Sequence, residues 1–256
     1  MNLSGAIKTL AVIPARYASS RFPGKPLVEI AGKSMIQHVW ERAMQTKAID
    51  DVLVATDDQR ILTAVEKFGG KGILTNQKHK TGTDRIVEAG SGRSCEWVLN
   101  IQGDEPLLLS SDIERLILQA QNTEGTKGAT LIYKITDKKM LHDPNVVKVV
   151  LNKKNEALYF SRSLIPYPLS AQWENFSIWR HLGVYLFQLD FLLQFQQWPQ
   201  SALEHTEQLE QLRILENGET LLCVEAENDG VGVDVPQDVE FAEMMLKRKK
   251  VKQIPA

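Results

Sequence analysis

Short apolar runs rich in β-branched residues alternate with amphipathic runs through the first half of the chain. The apolar runs predict strands at Thr9–Ile13, Val52–Ala55, Ile73–Leu74 and Trp97–Ile101. The amphipathic runs predict helices at Met35–Thr46, Asp58–Phe68, Thr83–Ala89 and Ser110–Ala120. Because parallel strands need a crossover connection, usually a helix, this alternation predicts an α/β fold with a mainly parallel central sheet and helices on both faces.

The pattern changes after about residue 125, where four predicted strands follow one another without intervening helices. They are Ala129–Ile135, Val146–Leu151, Ala157–Phe160 and Leu182–Phe187. We therefore predict one domain over residues 1–256 with a β-rich excursion around 129–188. Residues 166–179, rich in proline and aromatic side chains, are predicted to form a mobile loop. The remaining predicted elements are a helix at Glu204–Leu215, a strand at Leu221–Glu225 and a helix at Pro236–Lys250.

The composition and charge of the chain argue against several classes of protein. The formal net charge of −2 over 256 residues gives no electrostatic indication of nucleic-acid binding. No segment approaches the roughly 18 consecutive apolar residues of a membrane span, so no membrane partner is predicted. Cys95 and Cys223 lie singly and far apart, which disfavours a disulfide framework or a zinc site. A reducing cytoplasm is the predicted location.

A basic loop follows the first predicted strand, over residues 14–26. It contains the cations Arg16, Arg21 and Lys25 and the hydroxyl of Ser19, with three prolines that restrict its conformations. Fixed cations, hydroxyls and backbone N–H groups are the groups that bind polyphosphates. Loops after the carboxyl ends of parallel strands are the usual ligand sites of such sheets. The loop therefore predicts a polyphosphate site, and a solvated basic loop is the alternative.

Two isolated carboxylates suggest a divalent cation. Asp104 follows the strand that ends near Ile101, and Asp234 lies between glycines and a proline. Mg²⁺ is usually held by one or two carboxylates together with substrate phosphates and water. We predict that these two residues bind Mg²⁺, although each alone could equally be a turn or helix-capping residue.

Other polar clusters are less specific. Thr81 and Gly82 open a predicted helix, where exposed N–H groups suit an anion or a base edge, but helix capping would also explain them. The segments Tyr159–Ser163, Trp179–Tyr185 and Glu204–Arg213 are rich in polar side chains, and an arginine near a histidine and a glutamine could bind a sugar acid, the arginine taking its carboxylate. A buried structural histidine and a solvated helix face are the alternatives.

Six sequence blocks together resemble the 3-deoxy-manno-octulosonate cytidylyltransferases. They occur in the order found in that family and lie between about residue 9 and residue 245. The blocks are Ile13–Leu27, Asn100–Pro106, Ala157–Arg162, Arg180–Gly183, Leu209–Arg213 and Gly232–Asp234.

The resemblance implies transfer of a cytidylyl group from CTP to 3-deoxy-D-manno-octulosonate (Kdo), with release of pyrophosphate, for lipopolysaccharide biosynthesis. It also implies a nucleotide-diphospho-sugar-transferase-like fold, a Mg²⁺ cofactor and a homodimer formed through the β-rich excursion. Asp104 and Asp234 would hold the metal, and with Arg16 and Lys25 they would form the catalytic set. The implied phosphate ligands are Arg16, Ser19, Arg21 and Lys25; the cytosine or ribose ligands are Thr81, Gly82 and Gln102; the sugar ligands are Arg162, His181, Tyr185, Glu210 and Gln211.

Four alternatives remain open at this point. The same chemistry could act on the 8-amino analogue of Kdo or on an N-acylneuraminate. A metal-dependent glycosyltransferase is disfavoured, because no Asp-x-Asp stands at a predicted strand end. A regulatory protein that binds nucleotide sugars without turnover is also possible, but such a protein has no need of a second metal ligand.

Overall fold

The computed structural model describes residues 7–18, 22–79, 81–169, 177–230 and 232–252. The chain divides into two compact units, one of residues 1–114 with 230–256 and the other of residues 115–229. The organisation as one domain with an excursion stays a prediction. Ser19, Arg21 and part of the predicted mobile loop, residues 170–176, lie outside the described residues.

Strands alternate with helices in the first unit, as predicted. Its strands are β1 (Ile7–Ala15), β2 (Glu29–Ile30), β3 (Lys33–Ser34), β4 (Asp51–Thr56), β5 (Lys71–Leu74) and β6 (Cys95–Asn100). Its helices are α1 (Met35–Met44), α2 (Gln59–Lys67), α3 (Gly82–Gly90), the start of α4 (Ser110–Asn122) and the C-terminal helix α8 (Pro236–Lys252). The β2–β3 hairpin was not predicted, because strands of two residues carry no periodic signal.

Four strands of this unit pair in the order β6-β1-β4-β5, and every pair is parallel. In the register of β1, Val12 lies beside Leu53 on β4 and Asn100 on β6. The residues from Leu10 to Ile13 are completely buried, as expected for a parallel strand covered on both faces. The predicted α/β fold with a mainly parallel sheet is confirmed.

Parallel pairing places the carboxyl ends of these strands at one edge. The basic loop, Asp57, Thr75 and Asp104 each follow one of these strand ends directly or within a few residues. Open α/β sheets bind their ligands at this edge. The pairing therefore brings together chemistry-bearing residues that lie far apart in the sequence.

The second unit is mainly antiparallel. Its strands are β7 (Gly128–Lys134), β8 (Lys148–Leu151), β9 (Ala157–Ser161), β10 (Trp179–Gln188) and β11 (Leu222–Glu225). They pair in the order β11-β7-β10-β8-β9, and only the β11–β7 pair is parallel. The strands predicted in this region are all present, and β10 begins three residues earlier than predicted.

The helices of the second unit differ from the prediction. They are α5 (Leu189–Gln197), α6 (Ala202–Glu207) and α7 (Leu212–Glu216). The prediction of one helix over Glu204–Leu215 was wrong, because Gln208 adopts a left-handed conformation (φ 53°, ψ 48°) that ends α6. Helix α5 was not predicted, since its apolar residues continue the strand pattern of β10 without a breaking residue.

A buried ion pair holds α6 and α7 together across this break. The Arg213 guanidinium donates from Nε and Nη2 to the two oxygens of Glu204, at 2.7 and 2.5 Å. Glu204 is only 4% exposed, and Arg213 also lies 4.7 Å from the ring centroid of Phe195. The pair therefore fixes the connection that carries Glu210 and Gln211.

None of the helices in the described part of the chain combines the length and apolar character needed to cross a membrane.

Arg213→Met should destabilise the protein strongly, because it leaves the buried Glu204 carboxylate without its cation. We expect the free energy of unfolding, measured by urea denaturation, to fall by about 3–5 kcal/mol. Lys127→Met is the matched control: it breaks the exposed pair with Glu219 and should cost at most about 1 kcal/mol. Equal losses in the two variants would contradict a structural role for the Arg213–Glu204 pair.

Candidate active site

A cleft of about 360 Å³ opens at the carboxyl edge of the first unit's sheet. Backbone from the ends of β1 and β6 and from the start of α3 forms its walls. The lining residues are Pro14, Ala15, Arg16, Ala18, Lys25, Pro26, Gly82, Gln102, Gly103 and Asp104. The cleft thereby brings six of the predicted site residues to one place. They are Arg16, Lys25, Gly82, Gln102 and Asp104, with Thr81 at the N-cap of α3.

The two central walls of this cleft approach each other closely at Gly103. A Cβ atom on Gly103 would lie 2.9 Å from the carbonyl oxygen of Pro14 and 3.4 Å from Cδ1 of Ile36. Any side chain would therefore push the loop after β6 away from the end of β1. Glycine at this position lets Gln102 and Asp104 face the basic loop.

The base of the basic loop is closed by its own backbone. The N–H of Gly24 donates to the carbonyl of Tyr17 at 2.9 Å, and Gly24 has a positive φ of 73° that favours glycine. The Tyr17 ring is covered by the guanidinium of Arg60, which lies 3.3 Å from the ring centroid. A 3₁₀ turn at Lys25–Leu27 then directs the Lys25 side chain into the cleft.

The Lys25 ammonium lies between the two predicted metal ligands. Its Nζ is 2.5 Å from Oδ2 of Asp104 and 3.4 Å from Oδ1 of Asp234. The carboxylates of residues 130 positions apart in sequence thus face a single cation. The two carboxylates therefore already bind one positive charge, and their hard oxygen atoms are the ligands that Mg²⁺ prefers.

Asp234 is positioned by its neighbours. Val233 is buried in an apolar cluster with Ile30 and Leu107, and its N–H donates to the carbonyl of Asp104 at 2.9 Å. The Asp238 carboxylate accepts from the N–H groups of residues 234 and 235 at 2.8 and 2.9 Å, at the start of α8. Asp234 is thereby fixed against Asp104 by backbone contacts on both sides.

The start of α3 is a capping box. The Thr81 hydroxyl accepts from the N–H of Asp84, and the Asp84 carboxylate accepts from the N–H of Thr81, both at 3.1 Å. Capping was one of the two interpretations of these residues. It leaves Gly82 on the wall of the cleft, where its small size keeps the helix start accessible.

Arg16 is a half-buried cation on the cleft wall. Burial lowers its pKa from the ordinary value, and the positive charge of Arg85 acts in the same direction, whereas Asp57 and Asp84 oppose both. Its Nη2 atom is buried and has no hydrogen-bond acceptor among the described residues. A buried donor without an acceptor is costly, so this group is suited to receive an anion.

The five predicted sugar ligands belong to the second unit, and Arg162 is the most constrained of them. Its Nε, Nη1 and Nη2 atoms donate to the backbone carbonyls of Glu207, Pro144 and Gln208, at 2.7, 2.9 and 3.3 Å. In this structure the guanidinium ties the end of β9 to α6. Its role as a sugar ligand stays a prediction, and binding a carboxylate would require it to exchange some of these contacts.

A β-bulge brings His181 and Tyr185 together. The register of β10 against β7 shifts between Leu182 and Tyr185, and the two ring centroids lie 5.1 Å apart. Residues four apart in a regular strand would be separated by about 13 Å. The bulge also directs two carbonyls of β10, those of Leu182 and Val184, at the Thr130 hydroxyl. Bulges of this kind commonly re-aim side chains at binding sites.

Buried surroundings fix the protonation of His181. Burial lowers the pKa of its imidazole to about 3, and the positive charge of Arg180 contributes in the same direction. The Thr130 hydroxyl gives its single proton to a carbonyl, 2.8 Å away at Val184, so Nε2 of His181 donates to Thr130 Oγ1 at 2.9 Å. The ring is therefore neutral, and its Nδ1 atom is an acceptor.

Tyr185, Glu210 and Gln211 complete this group. Burial raises the pKa of the Tyr185 phenol well above its ordinary value, and the negative charge of Glu210 adds to the effect. Gln211 is 5% exposed, and its Nε2 donor has no acceptor within the described ranges. The Gln211 amide and the His181 imidazole thus offer neutral hydrogen-bonding atoms of the kind that bind sugar hydroxyls.

Sequence reasoning missed one buried polar network beside the first cleft. Arg85 is completely buried and contacts Asp57 and Thr75. Asp57 follows a predicted strand directly, and this position was a signal that could have drawn attention to it. A second cleft of about 580 Å³ lies in the other unit, and the five predicted sugar ligands are not among its lining residues.

Comparison with known proteins identifies the class of enzyme to which this chain belongs. The cytidylyltransferase family profile matches residues 10–221, which is most of the chain. The chain is therefore a nucleotidyltransferase of the cytidylyltransferase class. Its relatives include 3-deoxy-manno-octulosonate cytidylyltransferases of Thermodesulfovibrio yellowstonii, 46% identical over 93% of this chain and 98% of the relative, and of Escherichia coli, 43% identical over 94% and 97%.

A solved structure agrees with these relatives. A CMP:2-keto-3-deoxy-manno-octonic acid synthetase in complex with CTP superposes with a TM-score of 0.90 and 43% identity, over 94% of this chain and 99% of that chain. The chain belongs to the 3-deoxy-manno-octulosonate cytidylyltransferase family, as its sequence blocks predicted. A 4-diphosphocytidyl-2C-methyl-D-erythritol synthase of Anaerococcus prevotii, 14% identical with a TM-score of 0.64 over 94% and 97% of the two chains, shares the fold.

The low pKa of His181 predicts a pH-dependent stability. Between pH 6.5 and pH 3 the unfolded chain binds a proton at this histidine that the folded chain does not. The free energy of unfolding should therefore fall as the pH falls through this window, by up to about 1.4 kcal/mol per pH unit. His181→Gln keeps a donor for Thr130 and removes the titration, so its stability should depend less steeply on pH.

Urea denaturation between pH 4 and pH 7 measures both slopes. Tyr185→Phe is the control, because it alters the same cluster and leaves the imidazole in place. If wild type and His181→Gln lost stability in parallel, the imidazole would not be the titrating group.

Proposed function

We propose that this protein transfers the cytidylyl group of CTP to the anomeric hydroxyl of Kdo, with release of pyrophosphate, as a step of lipopolysaccharide biosynthesis. The observation that carries the proposal is the meeting of Lys25, Asp104 and Asp234 beside the buried donor of Arg16. Cations for a triphosphate and paired carboxylates for a metal are the two requirements of nucleotidyl transfer. Family membership supplies the identity of the substrates.

The phosphates of CTP are assigned to the basic loop. Arg16 offers the Nη2 donor that lacks an acceptor among the described residues, and Lys25 offers an ammonium that now pairs with Asp104. Ser19 and Arg21 are further ligands by family resemblance. These cations stabilise the charge that develops on the departing pyrophosphate, so they act on the leaving group. Gln102, Thr81 and Gly82 are assigned to the cytosine or ribose.

Asp104 and Asp234 would hold Mg²⁺. Within the described ranges no group of three or more His, Cys, Asp and Glu residues could bind a metal, so two carboxylates with substrate oxygens and water is the fitting ligand set. When bound there, the ion neutralises phosphate charge and makes the attacking hydroxyl more acidic. Lys25 now pairs with both carboxylates, and in the proposed complex it would pair with the phosphates.

The sugar is assigned to Arg162, His181, Tyr185, Glu210 and Gln211. His181 contributes a neutral Nδ1 acceptor, and Gln211 a buried amide donor. Neither group changes charge near neutral pH, so they orient hydroxyls and do not transfer protons. Positioning of the two substrates is the main contribution of the chain, as in other phosphoryl transfers.

Pyrophosphate release tests the proposal. The protein is incubated with CTP and Mg²⁺ and with Kdo, 8-amino-Kdo or N-acetylneuraminate in turn. Release with Kdo supports the proposal, and preferential release with either analogue would reassign the substrate. CTP binding without release with any of the three would indicate the regulatory alternative.

Asp104→Asn and Asp234→Asn should each lower kcat by about 10²-fold or more, because each removes a charged ligand of the ion. Asp190→Asn, at an exposed position on α5, is the control and should leave kcat unchanged. Titration with Mg²⁺ should require higher concentrations for half-maximal rate in the two site variants. A variant with wild-type kcat and wild-type Mg²⁺ dependence would remove that residue from the metal site.

A homodimer is also proposed. Tyr167 and Leu169 are 80% and 94% exposed, and Leu158 on β9 is 59% exposed. Exposed apolar residues of this size in one region are typical of an interaction surface. We expect sedimentation velocity to give a dimer and Leu169→Lys to shift it towards monomer, whereas Leu118→Lys on α4 should not. A monomeric wild type would contradict this assignment.

A cytoplasmic location is proposed from the thiols. Both cysteines are free, and burial raises the pKa of Cys223 to about 12, so this thiol stays protonated and unreactive. Free cysteines and a nucleotide substrate fit a reducing compartment.

A further inference from the structure

Arg85 is a buried cation beside the phosphate site that contacts neither the cleft nor solvent. Its side chain is 1% exposed. Nη2 donates to Oδ2 of Asp57 at 2.5 Å, and Nη1 donates to Oγ1 of Thr75 at 2.6 Å. The Thr75 hydroxyl in turn donates to the carbonyl of Thr56 at 3.1 Å. Arg85 therefore connects α3 to the residues that follow β4 and β5.

This network lies next to Arg16. Ala15 at the end of β1 lies beside Thr56 at the end of β4, so Arg16 and Asp57 directly follow neighbouring strand ends. The charges of Arg85, Asp57 and Asp84 also act on the Arg16 guanidinium. Both carboxylates have other donors: Asp57 binds Arg85, and Asp84 caps the N-terminus of α3 at Thr81. Arg16 consequently keeps a buried Nη2 donor that no described residue accepts.

Arg16 and Asp57 would form the obvious ion pair if Arg85 were not present. A carboxylate that loses its cation in a partly buried position is strongly destabilised and takes the nearest available donor. Arg16 stands at the neighbouring strand end, after β1, where Ala15 lies beside Thr56, and is the charged donor available there. Pairing of these two groups would draw the guanidinium away from the cleft.

We propose that Arg85 is a positioning residue of the phosphate site: by holding the Asp57 carboxylate, it keeps the Arg16 guanidinium available for the phosphates of CTP. The inference rests on the proposed function, because it assigns Arg16 to those phosphates. Arg85 touches neither substrate in this proposal. It acts by binding the Asp57 carboxylate, which would otherwise compete with the phosphates for Arg16.

Four variants of the full-length protein separate this role from a structural one. Arg85→Met should raise the Kd for CTP in the presence of Mg²⁺ by roughly tenfold or more, since one charge-assisted contact is lost. Arg85→Met combined with Asp57→Asn should restore the Kd to within about twofold of wild type, because no carboxylate remains to capture Arg16. Asp57→Asn alone should bind CTP as tightly as wild type or more tightly. Arg85→Lys should lie near wild type, as its ammonium can still hold Asp57.

Lys71→Met is the matched control. Lys71 pairs with Asp51 at 2.7 Å, at the ends of β4 and β5 that lie opposite Asp57 and Thr75. The substitution therefore breaks an ion pair of the same kind at a place remote from the cleft. Its Kd for CTP should equal that of wild type. Thermal unfolding of every variant reports its stability separately from CTP binding.

Calorimetric titration with CTP measures the Kd of each variant. Weak binding in Arg85→Met that the second substitution rescues supports the proposal. Wild-type binding in Arg85→Met, or weak binding in Arg85→Met that persists in the double variant, would overturn it. If Arg85→Met does not fold, tenfold weaker binding in Asp57→Asn would still overturn it. Wild-type CTP binding without pyrophosphate release would instead count against the proposed function and leave this inference standing.

Discussion

The contact of Lys25 with Asp104 and Asp234 is the interaction on which the candidate site depends. It joins the loop after β1, the loop after β6 and the segment before α8, which are 79 and 209 residues away from Lys25 in sequence. Without a cation between them, two facing carboxylates repel each other. The ammonium therefore stabilises the arrangement in the absence of substrate.

Three carboxylates of the first unit are engaged by donors other than Arg16 and Lys25. Asp57 is held by Arg85, Asp84 by the first turn of α3, and Asp238 by the start of α8. Arg16 keeps a buried Nη2 donor that no described residue accepts. In the proposed complex its positive charge is directed at the phosphates, while that of Arg85 is neutralised by Asp57. Such preorganisation avoids the cost of rearranging dipoles and charges during the reaction.

Much of this could be predicted from the sequence, for identifiable reasons. The parallel strands are short apolar runs that alternate with amphipathic helices, so their order along the chain and the edge that carries the candidate site followed directly. Asp104 was found because it stands at a strand end, and Asp234 because glycines and a proline isolate it. The break at Gln208 was not predicted, since a left-handed glutamine has no local signature and depends on the tertiary pairing of Glu204 with Arg213. The proposed role of Arg85 was not predicted either, because it depends on which carboxylate the buried guanidinium contacts in the folded chain.

The first unit is made from two separate lengths of chain, residues 1–114 and 230–256. Asp234 is fixed by Val233 and by the first turn of α8, and both belong to the later length. During synthesis, the phosphate loop, Asp104 and the whole parallel sheet leave the ribosome well before this carboxylate does. The proposed phosphate ligands are therefore synthesised before the second proposed metal ligand, and the pair of carboxylates can form only after Asp234 has been made.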